Sequence, residues 1–315
     1  MINTESELFF LPMFRLSWIA SKLRWIIGAA VALALLTGCG SLLRLSYGQA
    51  PNLAFWWIDG YADLDSVQSP RVRDALDEWF EWHRRTQLPS YADLLARAQR
   101  EMLEPTTPQA LCAWRDELQR RVDTALERAA PPLAALIVTL KPEQLQHMER
   151  KLAKNGVEMR ADFAQLNRDE RAKASFKRTL ERYEMFYGKL DEAQRARLAS
   201  LLAASPFDAD RWLAERERRN ADMMRTLAAA SAAGDPAQAQ AAVIVIAERA
   251  QRSPRADYRA YQVRLTQENC SLAATMHNLT TPAQRQHARN KLKGWEEDLR
   301  LLAAAGNGSG AAASR

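Results

Sequence analysis

The sequence predicts an all-α fold, a single bundle of about ten helices. Three observations lead there. Ala, Leu, Arg, Glu and Gln dominate, all strong helix formers, while only 12 glycines occur in 315 residues. Apolar residues recur at helical spacing, as in Val72, Leu76, Trp79, Phe80 and His83. Helix starts are written as a capping residue followed by proline, as in Ser69-Pro70 and Thr107-Pro108. No hairpin signal joins alternating strands. A hydrophobic fraction of 47% is enough to build a core. The net charge of +6 is modest and lacks the clustered stripe of a nucleic-acid binder.

The N-terminal segment stands apart from the bundle. Arg15, Lys22 and Arg24 precede an apolar run from Trp25 to Leu36, followed by small residues. That is the layout of an export signal, and the run is short for a permanent membrane span. Leu36-Thr37-Gly38-Cys39 resembles a bacterial lipobox. The resemblance implies a signal over residues 1–38, acylation of Cys39 and an outer-membrane lipid as its partner, with Gly at position 40 consistent with outer-membrane sorting. Residues 39–50 then read as a lipidated tether, 51–303 as the periplasmic helical domain, and 304–315 ("AGNGSGAAASR" with its neighbours) as a flexible tail.

Along the domain, a short aromatic helix starts at Pro51. Ser69 caps the next, another runs from Ser90 to near Leu103, and Thr107 opens one expected to stop before Pro131-Pro132. A short apolar helix leads to Leu140. A long charged stretch follows from Pro142 to near Tyr187, with a kink expected at Asn155-Gly156. Asp191, Asp208, Pro236, Ser253-Pro254 and Thr281 open the remaining helices.

Two of these starts are nearly the same text. Lys141–Leu152 reads "KPEQLQHMERKL" and Thr281–Leu292 reads "TPAQRQHARNKL". Pro suits the first helical position, and Gln at the third can reach back to the cap's N–H. Asp191 with Gln194 is a third variant. Leu140 to Gln144, Leu190 to Gln194 and Leu279 to Gln284 resemble the LTxxQ motif of Spy/CpxP-type periplasmic proteins, small helical stress chaperones and sensors. Lys141 and Asp191 replace the Thr, and the third copy reads as carrying one extra residue. The strings "LAFWWIDGYADL", "LDEWFEWHRRTQLPSYADLL" and "TPAQRQHARNKLKGWEEDL" resemble a family of proteobacterial outer-membrane lipoproteins of uncharacterised function. That resemblance implies localisation and fold, and no reaction.

Other candidates are weighed against plain packing. Trp56, Trp57, Trp79 and Trp82 form either an aromatic groove for a partner or a packed hairpin core. Gln144, Gln194 and Gln284 are candidate interaction residues if the LTxxQ resemblance extends to function. Cys112 and Cys270 form a disulfide in an oxidising compartment, or stay as buried thiols. Asp59, Asp63 and His83 offer acid–base chemistry for an envelope enzyme acting on cell-wall material, or ordinary caps and ion pairs. The histidines His83, His147, His277 and His287 have no metal-ligand spacing, so neither a metal nor a cofactor is expected. The basic run Arg168–Arg178 is a solvated face or a contact for an anionic partner. The reading reached is a non-enzymatic, lipid-anchored interaction protein facing the periplasm, scaffolding or chaperone-like, with an unidentified protein partner and no nucleic acid.

Overall fold

The computed structural model describes residues 40–312 apart from 165 and 166, with side chains from Leu43 to Ala305. Cys39 and the expected signal lie outside the described residues. The described residues form α-helices α1 (Gly40–Gly48), α2 (Ala50–Ala62), α3 (Gln68–Trp82), α4 (Leu88–Glu101), α5 (Pro108–Ile137), α6 (Pro142–Phe163), α7 (Arg168–Tyr187), α8 (Glu192–Ala203), α9 (Ala209–Ala233), α10 (Pro236–Gln251), α11 (Ala256–Asn278) and α12 (Pro282–Ala312). The expected all-α fold is what the chain adopts, and no strand occurs among the described residues.

The main core joins α2, α5, α9 and α10 through Ala62, Ala130, Ala134, Ile137, Met224, Leu227, Ala239 and Val243. Half of these are alanines, set among larger aliphatic side chains. A second core gathers Leu190, Leu198, Leu272 and Met276 between α8 and α11, with Phe176 and Leu180 of α7 against it. Tyr258, Tyr261 and Leu265 of α11 make a third with Phe207. Helix α12 lies along α4 and also packs on α1 and α7.

Several boundaries differ from the sequence reading, each for a physical reason. Ser69 is not the cap of α3. Asp65 caps the turn that leads into it: its carboxylate accepts the N–H groups of Val67 and Gln68, both at 2.9 Å. Helices α3 and α4 are not separated by a loop. A π-helical turn, His83–Gln87, joins them. Pro89 has no N–H to give the ladder, and the turn takes up the misfit: Leu88 N–H reaches back five residues to His83 O. Pro131 and Pro132 do not stop α5, which carries both. Ala130, Ala134 and Ile137 line one buried stripe across the prolines, and that burial outweighs the hydrogen bonds lost. The charged stretch is two helices: α6 runs through Asn155-Gly156 without a break and ends at Phe163, and Asn167 caps α7.

The ends differ too. The stretch expected as a tether is α1, docked on α12 by an ion pair of Arg44 with the buried Asp298 at 3.3 Å. The stretch expected as a tail continues α12 to Ala312.

Cys112 of α5 and Cys270 of α11 are joined by a disulfide, with Cα atoms 5.6 Å apart across 158 residues of sequence. Closing a loop that long lowers the entropy of the unfolded chain, an effect of up to about 5 kcal/mol on the chain-entropy model. Alkylation of the protein after unfolding without reductant should therefore label neither Cys112 nor Cys270. Reductant should lower the urea midpoint markedly, and should leave that of a Cys112→Ala/Cys270→Ala variant unchanged.

Candidate functional site

The repeated helix starts meet each other in space, two by two. Each glutamine at the third helical position makes a capping contact at home and a clasp across to its partner. In the first clasp, Gln68 Oε1 accepts from Asp65 N–H at 3.1 Å and Gln144 Oε1 accepts from Lys141 N–H at 3.0 Å. The two amides then bond reciprocally: Gln144 Nε2 donates to Gln68 Oε1 at 2.8 Å, and Gln68 Nε2 to Gln144 Oε1 at 3.1 Å. The second N–H of each amide reaches a backbone carbonyl of the other strand of chain. Gln68 reaches Thr139 O at 2.9 Å; Gln144 reaches Ala62 O at 2.8 Å and Asp63 O at 2.9 Å.

The second clasp repeats this arrangement. Gln194 and Gln284 accept from the N–H groups of their own caps, Asp191 at 3.0 Å and Thr281 at 2.9 Å. They exchange amide bonds at 2.8 and 3.0 Å. Gln194 donates to Leu279 O at 2.8 Å, and Gln284 to Lys189 O at 2.9 Å. In both clasps the carbonyl reached lies two residues before the partner's cap: Asp63, Thr139, Lys189 and Leu279. Each clasp is therefore two-fold symmetric in its bonding. Each pairs an Asp-capped start with a proline start. Every amide donor and acceptor has a partner, which removes the cost of burying Gln68, Gln144 and Gln194.

Two sequence readings change here. Gln68 was not recognised, although Leu64-Asp65-Ser66-Val67-Gln68 has the spacing of Leu190-Asp191-Glu192-Ala193-Gln194; the Ser69-Pro70 signal masked it. The third copy has no extra residue. Thr280, buried and bonded through Oγ1 to His277 O at 2.5 Å, stands where the other starts have leucine. Gln144 and Gln194 are buried. The amides of Gln144, Gln194 and Gln284 all bind within the protein, so what they do is join helices.

Lys141 is a poor cap by type, and its side chain does other work. Its Nζ lies 2.9 Å from Asp65 Oδ2 across the first clasp. That ammonium group, then the N–H groups of Gln68 and Val67, pull the Asp65 carboxyl down to about 2. The residue six beyond each proline-type cap is histidine; one meets the last turn of α2, the other the turn between α7 and α8. His147 Nε2 lies 3.2 Å from Gly60 O, and the His287 ring faces Gly188, whose φ of +81° suits glycine.

The other histidines are held by tyrosines. Tyr47 hydroxyl bonds His83 Nδ1 at 2.8 Å, and the His83 ring stacks on Trp79 with centroids 4.9 Å apart. Burial pushes the His83 imidazole down to about 4 and the Tyr47 hydroxyl up to about 12. Tyr187 hydroxyl bonds His277 Nδ1 at 2.9 Å while His277 Nε2–H donates to Glu104 O at 2.8 Å, and burial lowers this imidazole as well.

The four tryptophans separate into two pairs. Trp79 and Trp82 sit in a nest with Tyr47, Phe80, His83 and Tyr91, and Trp79 Nε1–H donates to Ala125 O at 3.1 Å. Trp56 and Trp57 face outward on α2, 64% and 51% exposed. Asp59 and Asp63 are not brought to His83. Asp59 Oδ1 accepts from Leu64 N–H at 3.0 Å and Asp63, at φ +48°, is the left-handed cap of α2. Among the described residues no three His, Cys, Asp or Glu side chains gather as metal ligands would.

Fold and contacts together define an all-α bundle locked by reciprocal glutamine clasps at its helix starts. The chain belongs to a family of unknown function, DUF6279, whose model matches residues 60–259. That span holds all of the first clasp and, of the second, Gln194 but not Gln284. No curated protein and no solved structure matches the chain.

Gln144→Ala should cost roughly 3 kcal/mol, because it strands the Lys141 N–H, two carbonyls and half of Gln68 in a buried site. Gln144→Glu should be worse at neutral pH, where a carboxylate oxygen would face Ala62 O and Asp63 O. Its folded-state pKa would be raised, so its stability should recover as pH falls from 7 toward about 4. Denaturant titrations of the variant and of wild type across pH decide this; a stability deficit relative to wild type that does not shrink as pH falls would contradict the clasp geometry.

The lowered His83 pKa gives the opposite trend in the wild-type protein. A neutral buried imidazole stabilises above the free value near 6.5, and that stability is lost as pH falls toward about 4. Stability should therefore drop over this window, with a shallower drop in His83→Phe. The slope left in that variant should contain the His277 contribution, which has the same sign.

Proposed function

We propose that this protein is a lipoprotein of the outer membrane's periplasmic face that acts without catalysis, as a scaffold or chaperone-like interaction protein. The observation that carries this reading is the fixed attachment of α1. It begins at Gly40, one residue after Cys39, and is held to the body by Arg44 on Asp298 and Tyr47 on His83. An acyl group on Cys39 would thus set the orientation of the whole bundle toward the membrane, which suits a scaffold. Among the described residues no helix is long and apolar enough to cross a membrane.

The LTxxQ resemblance adds the chaperone-like element. Here the motif glutamines brace the frame, so a holding role would fall to other, exposed side chains. Val157 on α6 and Met185 on α7 are 72% and 58% exposed, on helices that also expose Lys151, Lys154, Lys173 and Lys177. Arg171 pairs with Asp210 and Arg178 donates to Asp162 O, so these two arginines support the frame. An enzyme built on Asp59, Asp63 and His83 draws no support from the contacts these groups make.

The test has two arms. Cys39→Ser should lose the acyl mass and leave the membrane fraction; a variant with unchanged mass and fractionation would sink the anchor. The intact protein at molar excess should slow aggregation of unfolded clients. Replacing Lys151, Lys154, Lys173 and Lys177 with Gln should weaken that effect, most at low salt. No protection of any client would remove the chaperone-like role and leave the scaffold.

A further inference from the structure

Helices α1 and α2 form one run whose exposed face sets Leu45, Trp56 and Trp57 at either side of the polar Gln49 and Asn52. Gln49 N–H bonds Leu45 O at 3.3 Å and Leu53 N–H bonds Gln49 O at 3.0 Å, so the helical ladder continues on both sides of Pro51, which has no N–H to give. Leu45, Asn52 and Trp56 follow one another at helical intervals and are all exposed, Leu45 by 66%. Trp57 stands beside Trp56, its ring resting on Tyr61 at 4.9 Å between centroids. An indole buries roughly 150–250 Å² when covered. Two adjacent exposed indoles on a well-packed body therefore mark a surface that gains by being covered.

We propose that this face, Leu45 with Trp56 and Trp57, lies in the headgroup region of the phospholipid bilayer. The inference rests on the anchor reading above and names the surface that the anchored body presents to lipid. Position argues for lipid. The described run reaches Gly40, next to Cys39 in sequence, and Trp56 is sixteen residues from Gly40, about 24 Å of helix at most. A bundle tethered at Cys39 brings this face to the bilayer by lying down along α1–α2. Chemistry argues for it too. Tryptophan combines a large apolar ring with one N–H donor and concentrates at the boundary between acyl chains and headgroups. Asn52, hydrogen-bonded to Gln49 at 3.2 Å, keeps the middle of the face polar, which suits contact at the headgroup level and opposes deep insertion. The net positive charge of the chain favours an anionic lipid surface.

The experiment uses the full processed chain with vesicles of phosphatidylethanolamine and phosphatidylglycerol whose acyl chains are brominated, a short-range quencher of tryptophan emission. Part of the emission should be quenched in wild type, and that component should be lost in Trp56→Phe/Trp57→Phe and kept in Trp82→Phe. Circular dichroism of the double variant should match wild type, because both rings are largely exposed. Absence of quenching in wild type, or equal quenching in the double variant, overturns the proposal. A concentration-dependent blue shift without vesicles, abolished by the double variant, would assign the face to a second copy of the chain and overturn it as well. The intact mass of the same sample separates the two readings. An unacylated Cys39 defeats the anchor, and quenching of the chain added to vesicles then judges the face by itself. An acylated chain with unquenched tryptophans defeats the lipid contact alone.

Discussion

A pair of primary amides bonded face to face is the interaction on which this architecture depends. Glutamine has two donors and two acceptor lone pairs at the end of a flexible stem. At the third position of a helix one lone pair closes the cap, leaving three valences aimed outward. A second such glutamine, bonded reciprocally, fills two of them, and a backbone carbonyl beside the partner's cap takes the remaining N–H. The result fixes the distance, the direction and the register of two helix starts at once. It does so in a buried setting, where each bond is strengthened by the low dielectric and where any missing partner is costly. The first clasp ties α2–α3 to α5–α6 beside the main core. The second ties α7–α8 to α11–α12 beside the smaller core of Leu190, Leu198, Leu272 and Met276.

The all-α class was plain in the sequence because composition, spacing and caps agree. The glutamines were visible as a local device, since a capping box needs only neighbouring residues. Their pairing was not, because it joins positions 76 and 90 residues apart. One of the four starts stayed hidden where Ser69-Pro70 offered a stronger local signal than Asp65. The prolines misled for a related reason. At Pro131 and Pro132 the local rule predicts a stop, yet the helix continues because its buried stripe spans both. At Pro89 the rule predicts a break, and a single π-turn absorbs it. The disulfide partners were inferable because only two cysteines follow Cys39. The division of the tryptophans into a nested pair and an outward pair depends on which helices flank α2 and α3, which spacing alone does not encode.

The tyrosine-bound histidines show how a suggestive residue can be used up by its surroundings. His83 and His277 each receive a tyrosine hydroxyl on Nδ1, and burial holds both imidazoles neutral. Such a group adds hydrogen bonds and a flat stacking surface without adding charge. Asp298 shows the complementary case: burial raises its carboxyl, and Arg44 opposes that shift while seating α1. The first helix is thus seated on the body by polar contacts, Arg44 on Asp298 and Tyr47 on His83, together with the packing of the Tyr47 ring on Phe80.

The two clasps also pose a sorting problem to the folding chain. Each consists of an Asp-type start and a proline-type start, and the bonding pattern is the same in both. Gln68 could in chemical terms grip Gln284, and Gln194 could grip Gln144. Nothing in the amide pairs themselves prefers the native partners. The choice falls to unequal neighbours: Lys141 with Asp65 across the first clasp, Lys291 donating to Met185 O beside the second, and the covalent link of α5 to α11 between them. A protein that repeats one strong joint gains economy of design, and must rely on weaker, individual contacts to tell its joints apart.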